Sequence, residues 1–205
     1  MKRHRIILLP AVVIVLVATV GIFIFLEYKI RSVRDELSML EANTTASSAL
    51  TAGLETALEK YRINYDDIVT FEYDSDGNIN SLSTDILILN TLGNEIGTNT
   101  DNLINEIGVY CIRVPLTSLL GIQLLAGIGP QIPFYVTMRG ITSTSFENDF
   151  SDEGINQTRH QIYMNVKIKT YIIFSGEVTV VEYESKICIA ESIIVGATPG
   201  TFADF

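Results

Sequence analysis

Twenty-one consecutive residues, Ile6 to Leu26, carry no charge, and Met1-Lys2-Arg3-His4-Arg5 precede them. At about 1.5 Å per residue, a helix of that length matches the hydrocarbon thickness of a bilayer, about 30 Å. Pro10 and Gly21 are tolerable in a membrane helix. The run exceeds a signal-peptide core and leads into Glu27-Tyr28-Lys29-Ile30-Arg31 rather than a small-residue cleavage site. It reads as an uncleaved, single-pass signal-anchor, so residues 6–26 are expected to meet membrane lipid. Lys2, Arg3 and Arg5 are balanced by Lys29, Arg31 and Arg34. The first flank has no acid, which favours a cytoplasmic tail of residues 1–5 and an extracytoplasmic C-terminal part.

All 24 acids and all but three of the 14 Lys and Arg follow residue 26, which leaves a net charge of −13 outside the anchor. That charge argues against nucleic acid as a partner and against electrostatic adhesion to anionic lipid. About 180 residues remain beyond the anchor, enough for one domain with a core. Cys111 and Cys188 are expected as free, packed thiols, with pairing left open.

The fold class expected is α+β. An N-terminal transmembrane helix continues into a juxtamembrane helix, 27–62, and a domain over 63–205 follows. That domain holds a short hairpin, a second helix and a long antiparallel β meander. Ile30, Val33, Leu37 and Leu40 set a 3-then-4 spacing that Thr44, Ser47, Thr51, Leu54, Leu58 and Tyr61 continue. The middle of this helix is too rich in Ala, Ser and Thr for a strong coiled coil, so it is expected to lie on the domain. Self-association is the alternative. Asp76-Gly77 marks a hairpin turn between strands at 68–73 and 79–82. Asp85 to Ile107 reads as a helix interrupted by Gly93 and Gly97.

The firmest expectation concerns the last strands. With Ser175-Gly176 as a two-residue loop, Lys169 faces Glu182 and Lys167 faces Glu184 on one side. On the other, Ile168 meets Tyr183, Met164 meets Ile187 and Ile162 meets Ile189. One register pairs the charges and buries both apolar rows, and a one-residue slip ruins both.

Catalytic patterns are missing. There are two histidines, His4 and His160, and no phosphate loop, nucleophile elbow or zinc-protease helix motif. No enzymatic activity, cofactor or metal is expected. Asp74, Asp76 and Asn78 open like a calcium loop, but Ile79 stands where glycine is required. Asp149, Asp152 and Glu153 read as a solvated acidic turn, and His160 as a hydrogen-bonding residue. Val114 to Met138 has no charge either. Its Pro115, Gly121, Gly127, Gly129, Pro130 and Pro133 forbid a spanning helix. It reads as a buried loop and short helix feeding a core strand, or as an apolar surface for lipid or a partner.

Val114-Pro115-Leu116, Gly121, Leu124-Leu125 and Gly129-Pro130-Gln131-Ile132-Pro133 resemble the signature of the sporulation protein YunB family. So do Gly140, Gly154-Ile155-Asn156-Gln157-Thr158, His160, Ile162-Tyr163, and Ile189 to Gly196 with Pro199 and Phe202. The resemblance covers about residues 112 to 205. Thr198, Phe202 and the absence of Pro beside Ser175 are small departures. The resemblance implies a membrane protein of endospore-forming bacteria, needed for spore formation, with no known reaction. It is expected to be a structural or assembly factor with an unknown sporulation protein partner, at a membrane of the sporulating cell. A lipid- or apolar-ligand-binding module is the alternative. The surface expected for either role comprises Leu119, Leu120, Ile122, Leu124, Leu125, Ile128, Gly129, Pro130, Ile132, Pro133, Gly154, Ile155, Asn156 and His160. A helix, hairpin, helix and strand in that order over 30–114 is also loosely the order of ring-building modules, an analogy of element order alone.

Overall fold

The computed structural model describes residues 2–119, 127–154, 156–174 and 176–195. The chain is α+β. Helix α1 (Lys2–Tyr61) is followed by α2 (Tyr65–Ile68), β1 (Val69–Tyr73), β2 (Ile79–Thr84), α3 (Ile86–Glu106), β3 (Val109–Pro115) and α4 (Leu116–Leu119). Three long strands then close the fold: β4 (Gln131–Gly154), β5 (Gln157–Phe174) and β6 (Glu177–Val195). The strands form a two-stranded sheet, β1-β2, and a four-stranded one in the order β3-β4-β5-β6. The expected helix, hairpin, helix and strand order is present, but β3 joins the second sheet rather than the hairpin.

Helix α1 is one unbroken helix, as expected for an anchor that continues beyond residue 26. It ends where Arg62 takes a left-handed φ of 47°, a common way to stop a helix. It is long and apolar enough to cross a membrane, and residues 12–25 are exposed.

The chain divides into two compact units. The first comprises residues 1–41 and 109–136. Its buried side chains are Arg34 and Ser38 on α1, Val114 on β3, and Phe134 and Val136 on β4. Arg34 keeps its guanidinium on Asp35 Oδ1, at 2.8 Å from Nε and 2.6 Å from one terminal nitrogen. Glu41 accepts a hydrogen bond from the Tyr110 hydroxyl, and this holds the phenol above its ordinary value.

The second unit comprises residues 42–108 and 137–205. Here α1 buries Ala42, Ala46, Ala49, Leu50, Gly53 and Ala57. The expected greasy stripe is therefore displaced: Leu40 and Leu58 are exposed, and small residues one or two positions away face inward. The reason is close approach. A Cβ on Gly53 would lie 2.8 Å from Thr100 Oγ1, 3.1 Å from the Thr100 nitrogen and 3.2 Å from the Ile96 carbonyl oxygen. Backbone meets backbone there, and larger side chains would hold the helices apart.

Gly93 and Gly97 do not interrupt α3. They let it settle on β4, where Thr144 and Phe146 crowd Gly93 and Thr142 lies under Gly97. Gly140 answers from the sheet, against Ile104. Leu89, Leu92, Ile96 and Ile104 complete the buried face of α3. The helix starts cleanly because the Asp85 carboxylate accepts the N–H groups of Leu87 and Ile88. An N-cap of this kind contributes about 1 kcal/mol. Asp85→Ala should therefore lower the urea midpoint of the full chain in detergent with an unchanged slope. An unmoved midpoint would show that the cap is redundant.

Strands β5 and β6 pair as expected from the sequence. Lys169 faces Glu182, Lys167 faces Glu184, Ile168 meets Tyr183 and Met164 meets Ile187. Lys167 Nζ lies 2.7 Å from Glu182 and 3.0 Å from Glu184, and Lys169 Nζ 3.3 Å from Glu182. The expectation fails at one point. The register shifts after Ile162, which pairs with Ala190 instead of Ile189. The extra residue is a β-bulge, and it lets both Ile189 and Ala190 pack on the cluster of Ile68, Val69, Leu89 and Ile162. Both cysteines are free thiols, but Cys188 is exposed rather than packed.

Candidate functional site

The residues singled out in the sequence fall in both units. Leu120, Ile122, Leu124, Leu125 and Ile155 lie outside the described residues. In the first unit, Leu119 ends α4 and the chain resumes at Gly127. The two sides of this loop are tied together. The Leu116 N–H donates to the Pro130 carbonyl at 3.0 Å, the Thr117 hydroxyl donates to the Ile128 carbonyl, and the Gly127 N–H donates to Ser118 Oγ at 3.3 Å. Gly129 sits at φ 112°, a conformation that suits glycine, and Pro130 leads straight into β4. The Gly-Pro pair thus makes the turn that enters the strand. Ile128 is 61% exposed, Gly129, Pro130 and Pro133 are exposed, and Ile132 is half-buried.

In the second unit, Gly154 and Asn156 shape the β4–β5 hairpin. Gly154 pairs with Gln157 at its closing end, and Gly154 and Asn156 adopt φ of 145° and 59°. Asparagine tolerates the left-handed region better than most residues, which explains its place there. The acidic cluster lies just before the turn at the end of β4, and Glu153 pairs with Arg159 at 2.5 Å.

His160 is fully buried. It faces Phe150 across the β4–β5 ladder, and the rings stack with centroids 4.5 Å apart. Its Nδ1 lies 2.7 Å from the Tyr65 hydroxyl and its Nε2 3.2 Å from Asn148 Oδ1. Neutral imidazole protonated on Nε2 satisfies both partners: Tyr65 donates to Nδ1, and Nε2–H donates to Asn148. Burial pushes the imidazole below its ordinary value and, with the Asp66 charge adding to it, pushes the Tyr65 phenol up. Tyr65 also stacks on Phe71 of β1, 6.3 Å away. His160 thus ties α2 and the hairpin to the sheet, and its ring has no path to solvent.

Beside this cluster opens a groove of about 720 Å³. Tyr73, Ile79 and Leu82 of the hairpin form one wall. Phe150, Thr158, Ile194 and Val195 form the other, and Asn78 and Asn156 also line it. Among the described residues, no charged side chain lines it. It offers apolar surface and a few neutral hydrogen-bonding groups, which suits a short apolar or aromatic segment and supplies no acid or base. Sequence reading singled out Asn156 in this groove but missed Tyr73, Ile79, Leu82, Phe150 and Ile194. The available signal was Phe150, a large aromatic in an otherwise acidic stretch.

The Asp74 loop is closed on itself. Its carboxylate accepts the N–H groups of Asp76 at 2.9 Å and Asn78 at 2.8 Å, and the Asn78 amide at 3.3 Å. These bonds, the Asn78 N–H first, hold the carboxyl below its usual range.

The sequence profile described as Sporulation protein YunB (Spo_YunB) matches residues 111–201. Sporulation protein YunB of Bacillus subtilis (strain 168) is similar along most of the chain. It is 22% identical over 186 residues, which cover 85% of this chain and 72% of that protein. Neither description carries an enzymatic name. No solved structure matches the chain. The matched span takes in the Gly-Pro turn, the Gly154–Asn156 hairpin and His160, so over residues 111–201 the chain is similar to the sporulation protein YunB family.

Proposed function

We propose that this sporulation protein is a membrane-anchored, non-enzymatic assembly factor that docks another protein through the uncharged groove beside His160. The observation that carries the reading is the groove itself: apolar side chains and neutral polar groups among its described lining residues, with Phe150 stacked on the buried His160. The apolar half of α1 supports a single crossing, with residues 1–5 cytoplasmic and the C-terminal part outside, at a membrane of the sporulating cell. The partner is a protein segment with apolar or aromatic side chains. In a pull-down of the anchored chain from sporulating cells, the parent should recover a reproducible partner, and Leu82→Asp should lose it. Equal recovery by both chains removes the groove from the interaction, and no reproducible partner removes the docking reading.

The exposed Ile128 beside Gly129-Pro130 supports a second reading, in which the 119–133 loop holds lipid or another apolar ligand. Native mass spectrometry of the detergent-released chain tests it, and a chain that emerges free of lipid sinks it.

A further inference from the structure

Strand β6 is an edge. It stands last in the order β3-β4-β5-β6, so among the described residues only β5 pairs with it. Among the described residues, no backbone hydrogen bond outside that ladder involves residues 178–195. On its inner face the Tyr183 hydroxyl donates to Ser47 Oγ of α1 at 3.3 Å. Edges of this kind are a template for another strand, and proteins blunt them with short length, proline or repeated lysines. Strands usually run about 3–10 residues. This one runs 19, contains no proline and has a single lysine, Lys186.

We propose that β6 pairs antiparallel with β6 of a second copy about a two-fold axis at Ser185, continuing the sheet across two chains. The side chains select this register. Each opposed pair then sums to 370. On the outer face Lys186 meets Glu184 twice, and Glu182 meets Cys188 twice. On the inner face Tyr183 meets Ile187 and Val181 meets Ile189, each twice. Moving the axis to Glu184 sets that carboxylate against itself, and moving it to Lys186 opposes two ammonium groups. An axis at Tyr183 pairs Glu182 with Glu184, and one at Ile187 leaves Lys186 with no acid opposite. Opposite charges stabilise cross-strand pairs and like charges directly opposite destabilise them. Only the Ser185 axis gives Lys186 a carboxylate without creating a like-charge pair. Lys186 already reaches Glu147 at 3.1 Å, and Glu184 already reaches Lys167 at 3.0 Å. An ammonium has three donors and a carboxylate two oxygens, so each can take a second partner. The contact is isologous, as two-fold symmetry requires.

The test is register-specific cross-linking of the full chain in detergent, with Cys111→Ser throughout. Glu182→Cys with the native Cys188 should give a disulfide-linked dimer on mild oxidation. So should Ser185→Cys combined with Cys188→Ser. Lys186→Cys with Cys188→Ser opposes position 184 and should give less than about a tenth as much, because the two thiols sit on a diagonal. Light scattering of the unmodified chain should report a dimer that Lys186→Glu weakens about tenfold, from two attractive pairs made repulsive. A monomer at about 10 µM overturns the proposal, since a pairing of this extent should hold at that concentration. A dimer in which Ser185→Cys links no better than Lys186→Cys also overturns it, because the contact then lies elsewhere.

Discussion

Gly53→Leu is expected to lower the melting temperature of the full chain by about 4–8 °C, while Gly21→Leu in the same helix does not lower it. The two glycines differ only in what surrounds them. Nothing lies within 4 Å of a Cβ on Gly21. At Gly53 the nearest atoms include the Thr100 nitrogen and the Ile96 carbonyl, which cannot rotate away. Overpacking a tight contact costs about 1–3 kcal/mol, and a leucine against backbone belongs at the upper end. Helix propensity returns about 1 kcal/mol of it. The net loss is about 2 kcal/mol, which gives the stated shift for a chain of this size. Gly93→Val should follow the same course, because Thr144 Oγ1 would lie 2.7 Å and the Phe146 ring 3.1 Å from its Cβ. Circular dichroism melts in detergent decide the matter. Equal melting of the Gly53 and Gly21 variants would mean that α1 does not pack on α3 as described.

His160→Ala is expected to cost about 3 kcal/mol and to remove a pH dependence. Truncation leaves a cavity against Phe150 and strips partners from the Tyr65 hydroxyl and the Asn148 amide, each effect worth a kcal/mol or more, about 1–3 for an orphaned polar group. The pH effect has a definite sign. Burial holds the folded imidazole below its ordinary value of about 6.5, so the unfolded chain binds the proton more tightly. The contribution to stability is full above the unfolded value and is lost as the pH falls through it toward the folded one. The parent should therefore melt earlier at pH 5.5 than at pH 7.5. His160→Gln, which keeps a donor and an acceptor, should lose less stability than the alanine variant and show a flatter profile. The carboxyls of Glu147 and Glu182 are held below their usual range by Lys186 and Lys167 respectively, so they lose their contribution at lower pH. Asp101, pushed up by burial, acts in the opposite sense within the carboxyl range. An unchanged pH profile in His160→Gln would show that the imidazole is not the group responsible.

Several elements were legible in the sequence because two independent patterns agreed. In β5 and β6 the apolar alternation and the Lys-Glu placement both demand one register, and the fold adopts it from Phe174–Glu177 to Met164–Ile187. The Asp-Gly turn was legible because backbone geometry there depends on a few neighbouring residues. Where a single pattern stood alone, reading went wrong. The Leu40–Leu58 stripe on α1 had the right spacing and the wrong phase, since burial depends on a partner helix that the periodicity does not encode. Gly93 and Gly97 suggested a break, but they are contact points.

The similarity to the sporulation protein YunB family was legible too, because the matching motifs are mostly turns whose spacing the chain keeps. The groove was not. Its walls come from a hairpin near residue 75 and strand ends near 150 and 195, and no local signal joins them. The bulge at Ile189 had the same origin, a core that needed two neighbouring side chains on one side.

By itself, the sequence determined the apolar helix, the long meander with its charged outer face, and the turns, because each follows from interactions between residues close in the chain or paired by a short hairpin. Only the tertiary structure decided which face of α1 is buried, what His160 touches and where an open surface lies. Those depend on contacts such as Tyr65 with His160, 95 residues apart, which form only when separate elements pack, and packing is decided by shape as much as by hydrophobicity.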